Sequence, residues 1–265
     1  MKISLNRFPG GLQKAFTMSY DDGVDHDRRL VALFNRYGIR GTFHLVSGSL
    51  DSPGYLTSGE IAALFAGHEV SGHSIHHPHL TLVPPEIRVA ELYNSRQMLE
   101  ELVGYPVKGI SYPYGTYNEE LAAGLPYLGL HYARTVTSHG QFRMPDDFLR
   151  WSPTCHHDDK VMEHAERFLK ETPMERMSLF YVWGHSHDLE RNGNWALMEE
   201  FCAFMSGHAS VWYATNAEIT AYMRVLRNLE FSANGHIVYN PSAASAWITV
   251  DGKSVELPGG ATTLV

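Results

Sequence analysis

The chain has 265 residues, 44% of them hydrophobic and 19% charged, enough to bury one large core with a small appendage. Its 21 Lys and Arg against 29 Asp and Glu give a net charge of −8 with no basic run, which excludes nucleic acid as an expected partner. Cys155 and Cys202 are too few for a disulfide framework or a cysteine-built zinc site and are expected as buried thiols.

Residues 1–10 break a short apolar stretch with Lys2, Asn6 and Arg7, so they lack the core of a signal peptide. No run of ~18 apolar residues is present either. A cytoplasmic protein with no membrane partner is the expectation, and nothing in the sequence sets an oligomeric state.

In chain order, residues 15–20 form an apolar β-run. Residues 27–37 follow with Leu30, Leu33 and Phe34 at helical spacing and Gly38 as a stop. A second β-run covers 41–46, after which Thr57-Ser58-Gly59-Glu60 has the form of a capping box ahead of Ile61, Leu64 and Phe65. A third covers 69–72, and residues 84–102 carry the longest helical pattern, with Pro85 near its start and Gly104 beyond its end. Four more β-runs, at 107–112, 131–136, 178–183 and 210–214, and helices at 158–170, 195–205 and 216–226 continue the alternation. This pattern predicts the α/β class, as a distorted (β/α) barrel ahead of an open sheet. From about Asn228 turn signals crowd together, at Asn234-Gly235, Asn240-Pro241, Asp251-Gly252 and Pro258-Gly259-Gly260. The predicted division is therefore a barrel over 1–228 and a small antiparallel β appendage over 229–265.

Of the sixteen histidines, eight bunch at 73–79, 156–157 and 185–187, which points to metal or acid–base chemistry. Ser19-Tyr20-Asp21-Asp22-Gly23 ends the first β-run, where barrel enzymes place their chemistry. Adjacent carboxylates repel unless their roles divide, one binding a cation and the other acting as base, although Asp-Asp-Gly also describes an ordinary turn. In Gly72-His73-Ser74-Ile75-His76-His77-Pro78, His73 and His77 are four apart, which on a helical turn puts both imidazoles on one side. His73 with His76 is the competing pair, and Pro78 biases His77 away from helical geometry. With Asp22 the pair makes three N/O donors and leaves a position open for water. A third constellation, Trp183-Gly184-His185-Ser186-His187-Asp188, puts an imidazole suited to proton delivery at another strand end, with His185 and His187 equally eligible.

In this order the motifs resemble those of the polysaccharide deacetylases, carbohydrate esterase family 4. Tyr20-Asp21-Asp22-Gly23 and His73-Ser74-Ile75-His76-His77-Pro78 match its first two motifs. Tyr112-Pro113-Tyr114-Gly115 matches the third with Ser111 in place of its arginine. Asp147-Phe148-Leu149-Arg150-Trp151 matches the fourth with Arg150 where its second aspartate belongs, and His185 matches the last. The resemblance spans roughly residues 15–190. It implies a distorted (β/α) barrel in which Asp22, His73 and His77 bind one divalent ion, zinc first. Asp21 would be the general base, His185 the general acid, and the Tyr114 backbone N–H, following Pro113, would help hold the oxyanion. Trp151 would line the acetyl pocket.

The two departures leave the base without its arginine and the acid without its aspartate. Arg150 is expected to contact Asp21, with Arg134 at the preceding strand end as the alternative donor. His156, His157, Asp158 and Asp159 are candidates to support His185. The expected activity is metal-dependent removal of an acetyl group, N-acetyl ahead of O-acetyl, from an oligosaccharide or polysaccharide. Tyr112, Tyr114, Trp151, Trp183 and Trp195 are available to stack on sugar rings. A metal-independent amidohydrolase acting on a ureide-like molecule and a non-catalytic carbohydrate-binding protein are the rivals. Intact Asp22, His73 and His77 weigh against the first, and retention of both Asp21 and His185 against the second.

Overall fold

The computed structural model describes residues 1–265. A short strand, β1 (Ile3–Ser4), precedes β2 (Lys14–Asp22), the axis of the molecule. Ala15, Phe16, Met18 and Tyr20 are fully shielded, as a parallel strand covered on both faces requires. Beside β2 lie β3 (Gly41–Leu45), β4 (Glu69–Gly72), β5 (Gly109–Ser111) and β6 (Tyr132–Arg134) in succession. On its other side come β8 (Ser178–His185) and then β7 (Cys155–His156), while β9 (Val211–Tyr213) pairs with residues 14–16 of β2. All of these pairings are parallel. The two edges meet through residues 151–156: Trp151 N–H donates to the Ala133 carbonyl (2.9 Å) and Thr154 N–H to that of Tyr181 (2.8 Å). The result is the expected distorted (β/α) barrel, with one strand, β7, that the sequence pattern did not announce.

Helices α1 (Asp27–Tyr37), α2 (Ile61–Leu64), α3 (Pro85–Val103) and α4 (Glu119–Gly124) cover the first half, and α5 (Val161–Lys170), α6 (Ser186–Arg191), α7 (Trp195–Met205) and α8 (Asn216–Arg227) the second. Gly38 ends α1 at φ +63°, returning its N–H to the Asn35 and Phe34 carbonyls, a conformation that favours glycine. Thr57 and Glu60 form the expected capping box, but over a 3₁₀ turn that leads into the single turn of α2. The short helices α4 and α6 were absent from the sequence pattern.

The main core joins Phe16, Phe34, Phe43, Phe180 and Phe201 between strands and helices. Each fully buried side chain of this kind stabilises the fold by about 1.5–3 kcal/mol. The C-terminal residues make two antiparallel three-stranded sheets. One is β10 (Glu230–Phe231), β11 (Ile237–Tyr239) and β14 (Thr262–Leu264); the other is β1, β12 (Ala246–Val250) and β13 (Lys253–Leu257). Their Val238, Ala246, Ile248 and Leu257 share a cluster with Phe8, Tyr222 and Leu226, so this region packs onto α8 and the N-terminal segment. No helix is long and apolar enough to cross a membrane.

Candidate active site

The C-terminal ends of β2, β4, β5, β6 and β8 form one rim, and sheet register decides which side chains meet there. Asp21 lies beside His44 on one flank and His185 on the other, while Ser111 and Arg134 share a rung between β5 and β6, the third and fourth strands from β2. Asp22 takes φ +86° at the exit from β2, followed by Gly23 at +77°. Its side chain remains partly exposed, whereas Asp21 is buried.

Asp21 is held from two sides. Its Oδ2 forms an ion pair with Nη2 of Arg134, and its Oδ1 accepts from the Ser111 hydroxyl at 3.1 Å. Arg134 is fully buried and lies over the Trp183 ring, 4.5 Å from its centroid. Burial alone would push the Asp21 carboxyl up; Arg134, with His73, His44 and His185, outweighs it and holds the group well below the usual carboxylate range. Asp21 therefore stays ionised at any working pH.

Arg150 does not make the contact expected of it. Its guanidinium pairs with Asp147 and with Glu119 (2.5 Å) at the surface, because the 3₁₀ turn over residues 148–150 keeps it beside the Asp147 carboxylate that caps that turn. The alternative donor, Arg134, reaches Asp21 instead. Trp151 is likewise not a pocket wall. Its backbone pairs with β6, and its ring packs edge-on against Phe148 (4.8 Å), Tyr181 (4.9 Å) and Tyr132 (5.8 Å) in the core.

His73 follows directly on β4. Its Nδ1 lies 2.9 Å from the Ser111 carbonyl, an acceptor only, so Nδ1 carries the proton and Nε2 presents a lone pair. His77 Nε2 is 3.0 Å from His73 Nε2, and Asp22 Oδ1 is 3.7 Å from the same atom. Ligands of one zinc ion at 2.0–2.1 Å stand about 3.3 Å apart, so the three donors fit a divalent ion. The expected helical turn is absent: Ser74 at φ +64° and His77 at φ +56° fold the loop so that the two rings converge. Glu91 of α3 fixes that loop, accepting from the backbone N–H groups of Ile75 (3.0 Å) and His76 (2.9 Å) and pairing with His76 Nδ1 (2.7 Å). His76, the competing ligand, is thereby turned away.

His185 Nδ1 is 3.0 Å from Asp188 Oδ2, three residues along on α6. Burial would raise the Asp188 carboxyl, but His185 and its neighbours outweigh this and lower it. None of the four expected supports occupies this place. His156 Nε2 stands 3.7 Å from Asp188 Oδ2, His157 stacks on Tyr20 at 5.6 Å, and Asp158 takes the Asn192 and Asn194 amides. Asp188 is thus a site residue that motif matching missed, and so is His44. The latter lies fully buried within an apolar run, its pKa pushed down to about 3 by burial, with neither ring nitrogen bonded.

Asp21, Asp22, His73, His77, His185 and His187 line an open cavity of about 490 Å³ with Tyr114, Val136 and Trp183. Tyr114, at φ +57° in the turn Pro113–Gly115, is half exposed; its ring stacks on His79 (3.8 Å) and stands 4.4 Å from His77. Of the five aromatics expected to meet sugar, Tyr114 and Trp183 are the accessible ones at the cavity. Tyr112 lines it but is buried, with its hydroxyl given to the Leu149 carbonyl, and Trp195 packs under Arg29. Both cysteines are buried, as expected, and burial pushes their thiols up.

A sequence model of the polysaccharide deacetylase family matches residues 10–133. YxkH of Bacillus subtilis, whose name assigns it to the polysaccharide deacetylases, is 26% identical over 110 residues, 41% of this chain and 39% of its own length. The match thus spans less than half of that curated relative. Among solved structures, a Mycobacterium smegmatis protein that carries the same family name aligns over 86% of this chain and 96% of its own, with a TM-score of 0.62 and 19% identity. The Xyl-CE4 domain of a multidomain xylanase from the hindgut metagenome of Trinervitermes trinervoides aligns over 84% and 99%, with a TM-score of 0.56 and 18% identity. At such identities the structural likeness is one of fold.

Proposed function

We propose that this chain is a member of the polysaccharide deacetylase family, whose sequence model matches residues 10–133, and that it hydrolyses an acetyl group from an oligosaccharide or polysaccharide, N-acetyl ahead of O-acetyl. The observation that carries the proposal is the convergence of Asp22, His73 Nε2 and His77 Nε2 beside the buried Asp21 carboxylate, with His185 on the same cavity. Asp22, His73 and His77 would hold one divalent ion, zinc first. Such an ion supplies Lewis acidity and lowers the pKa of a water to about 7.

Asp21 accepts the proton of the attacking water, its carboxylate kept ionised and oriented by Arg134 and Ser111. The Tyr114 backbone N–H, presented by its left-handed turn, donates to the oxygen on which charge develops. His185 delivers a proton to the leaving nitrogen while Asp188 accepts from its Nδ1–H and stabilises the ring. Tyr114 and Trp183 offer apolar faces to the sugar.

A metal-independent amidohydrolase would have no use for three converging donors. A pure binding protein would have none for a buried base or a carboxylate-backed imidazole. Acetate release from a panel of N- and O-acetylated oligosaccharides, with and without chelator, tests the reading. Release abolished by chelator and restored by zinc is expected. Chelator-insensitive release, or tight binding without release in the zinc-loaded protein, would overturn it.

A further inference from the structure

We propose that His185, His187 and Asp188 form a second, weaker divalent-cation site, and that filling it takes His185 out of proton delivery. The effect on rate rests on the role given to His185 above; the binding does not.

The Asp188 carboxylate is approached by two imidazoles on different oxygens. His185 Nδ1 lies 3.0 Å from Oδ2, and His187 Nε2 lies 3.4 Å from Oδ1. The two rings are stacked, with centroids 5.1 Å apart, so their edges face the same carboxylate. One donor atom from each of the three residues falls within 4.8 Å of the others. Each of the two contacts with Asp188, made on different oxygens, has the separation of ligands around one zinc ion, about 3.3 Å. Two imidazoles and a carboxylate also leave a position open for water.

The surroundings explain why this site is the weaker one. Asp22 stands between the two clusters, with Oδ1 3.7 Å from His73 Nε2 and Oδ2 3.8 Å from His187 Nδ1. Two cations placed on either side of it repel each other. Arg191, with a largely exposed side chain, already lies 2.5 Å from Asp188 Oδ1 and competes for that oxygen. Once Nδ1 of His185 is bound to a cation, giving up the Nε2 proton would leave an imidazolate, so the residue stops serving as a donor.

Zinc equilibrium dialysis of the full chain tests the site. Two ions per chain are expected, the second at higher free zinc. His187→Ala and the milder His187→Gln should each bind one ion, with folding followed by circular dichroism. The double variant His73→Ala/His77→Ala should retain only the weaker ion, and Arg191→Gln should bind it about two- to five-fold more tightly, the size of a surface charge pair. Acetate release should fall over the zinc range that fills the second site in the unaltered protein and stay level in His187→Gln. One ion per chain throughout, or a second ion that survives both His187 variants, overturns the site. A second ion that binds as described without slowing release overturns its effect on His185. No release at any zinc concentration overturns the proposed function and leaves the site standing.

Discussion

Replacing Arg134 with Met isolates the ion pair on which the geometry of the candidate base depends. The thioether keeps much of the stem volume and removes the charge, leaving Asp21 2% exposed with the Ser111 hydroxyl as its hydrogen-bond partner. Breaking a buried pair from one side costs about 3–5 kcal/mol, because the surviving charge stays desolvated. At roughly 2–4 °C per kcal/mol for a chain of this size, the melting temperature falls by about 6–20 °C. The loss has a pH signature. In the unaltered protein the Asp21 pKa is depressed, so its contribution is present above the unfolded value of about 3.9 and is lost only as pH falls through the folded value. In the variant burial is no longer outweighed by a guanidinium and the folded pKa rises; stability then declines as pH climbs past about 4. Thermal unfolding by circular dichroism should therefore show a deficit that is large at pH 7 and shrinks toward pH 4, and Asp21→Asn added to Arg134→Met should recover most of it. The acidic limb of the rate profile should also move upward. An equal deficit at both pH values, or a further loss on adding Asn, would refute the reasoning.

Four other outcomes are expected. His73→Ala and His77→Ala should each lose bound zinc by elemental analysis while keeping the native circular dichroism spectrum; full occupancy in both would remove them from the metal site. Asp21→Asn should retain zinc and lose at least ~100-fold in turnover, the lower end of general-base effects. Glu91→Gln, which weakens the acceptor for two loop N–H groups, should cost about 1–3 kcal/mol in chemical denaturation and lower zinc affinity, so an unchanged affinity would detach α3 from the metal loop. Arg150→Ala should change stability by no more than about 1 kcal/mol and leave the acidic limb in place, since its partners are Asp147 and Glu119.

The barrel was legible because parallel strands buried on both faces read as continuous apolar runs, and Gly38 and Gly104 mark helix ends in a way few other residues can. β7 has two residues and no period to detect. α6 is short and polar, so its i, i+3 spacing between His185 and Asp188 could not be seen as a contact. Arg150 was favoured by its place in a motif, whereas Arg134 reaches Asp21 because β6 sets it on the same rung as Ser111. Register of this kind belongs to the assembled sheet and leaves no local trace. Trp151 shows the same limit: the bridge to Arg134 turns its ring inward, against what motif order implied.

The pairing of Ile3 with Val250 and of Ser4 with Thr249 also imposes a timetable on synthesis. At 5–20 residues per second, β1 emerges roughly 12–50 s before the strand that will bind it. Throughout that interval Ile3 and Phe8 lack the apolar surface that residues 238–257 later provide. The barrel strands up to β9 can assemble on the ribosome, but the seam beneath them closes only after the last tenth of this sequence has left the exit tunnel. A translational delay anywhere between the codons for residues 8 and 250 should therefore lengthen exposure of that seam to chaperones and proteases by the length of the delay, whereas an equal delay before residue 3 should not.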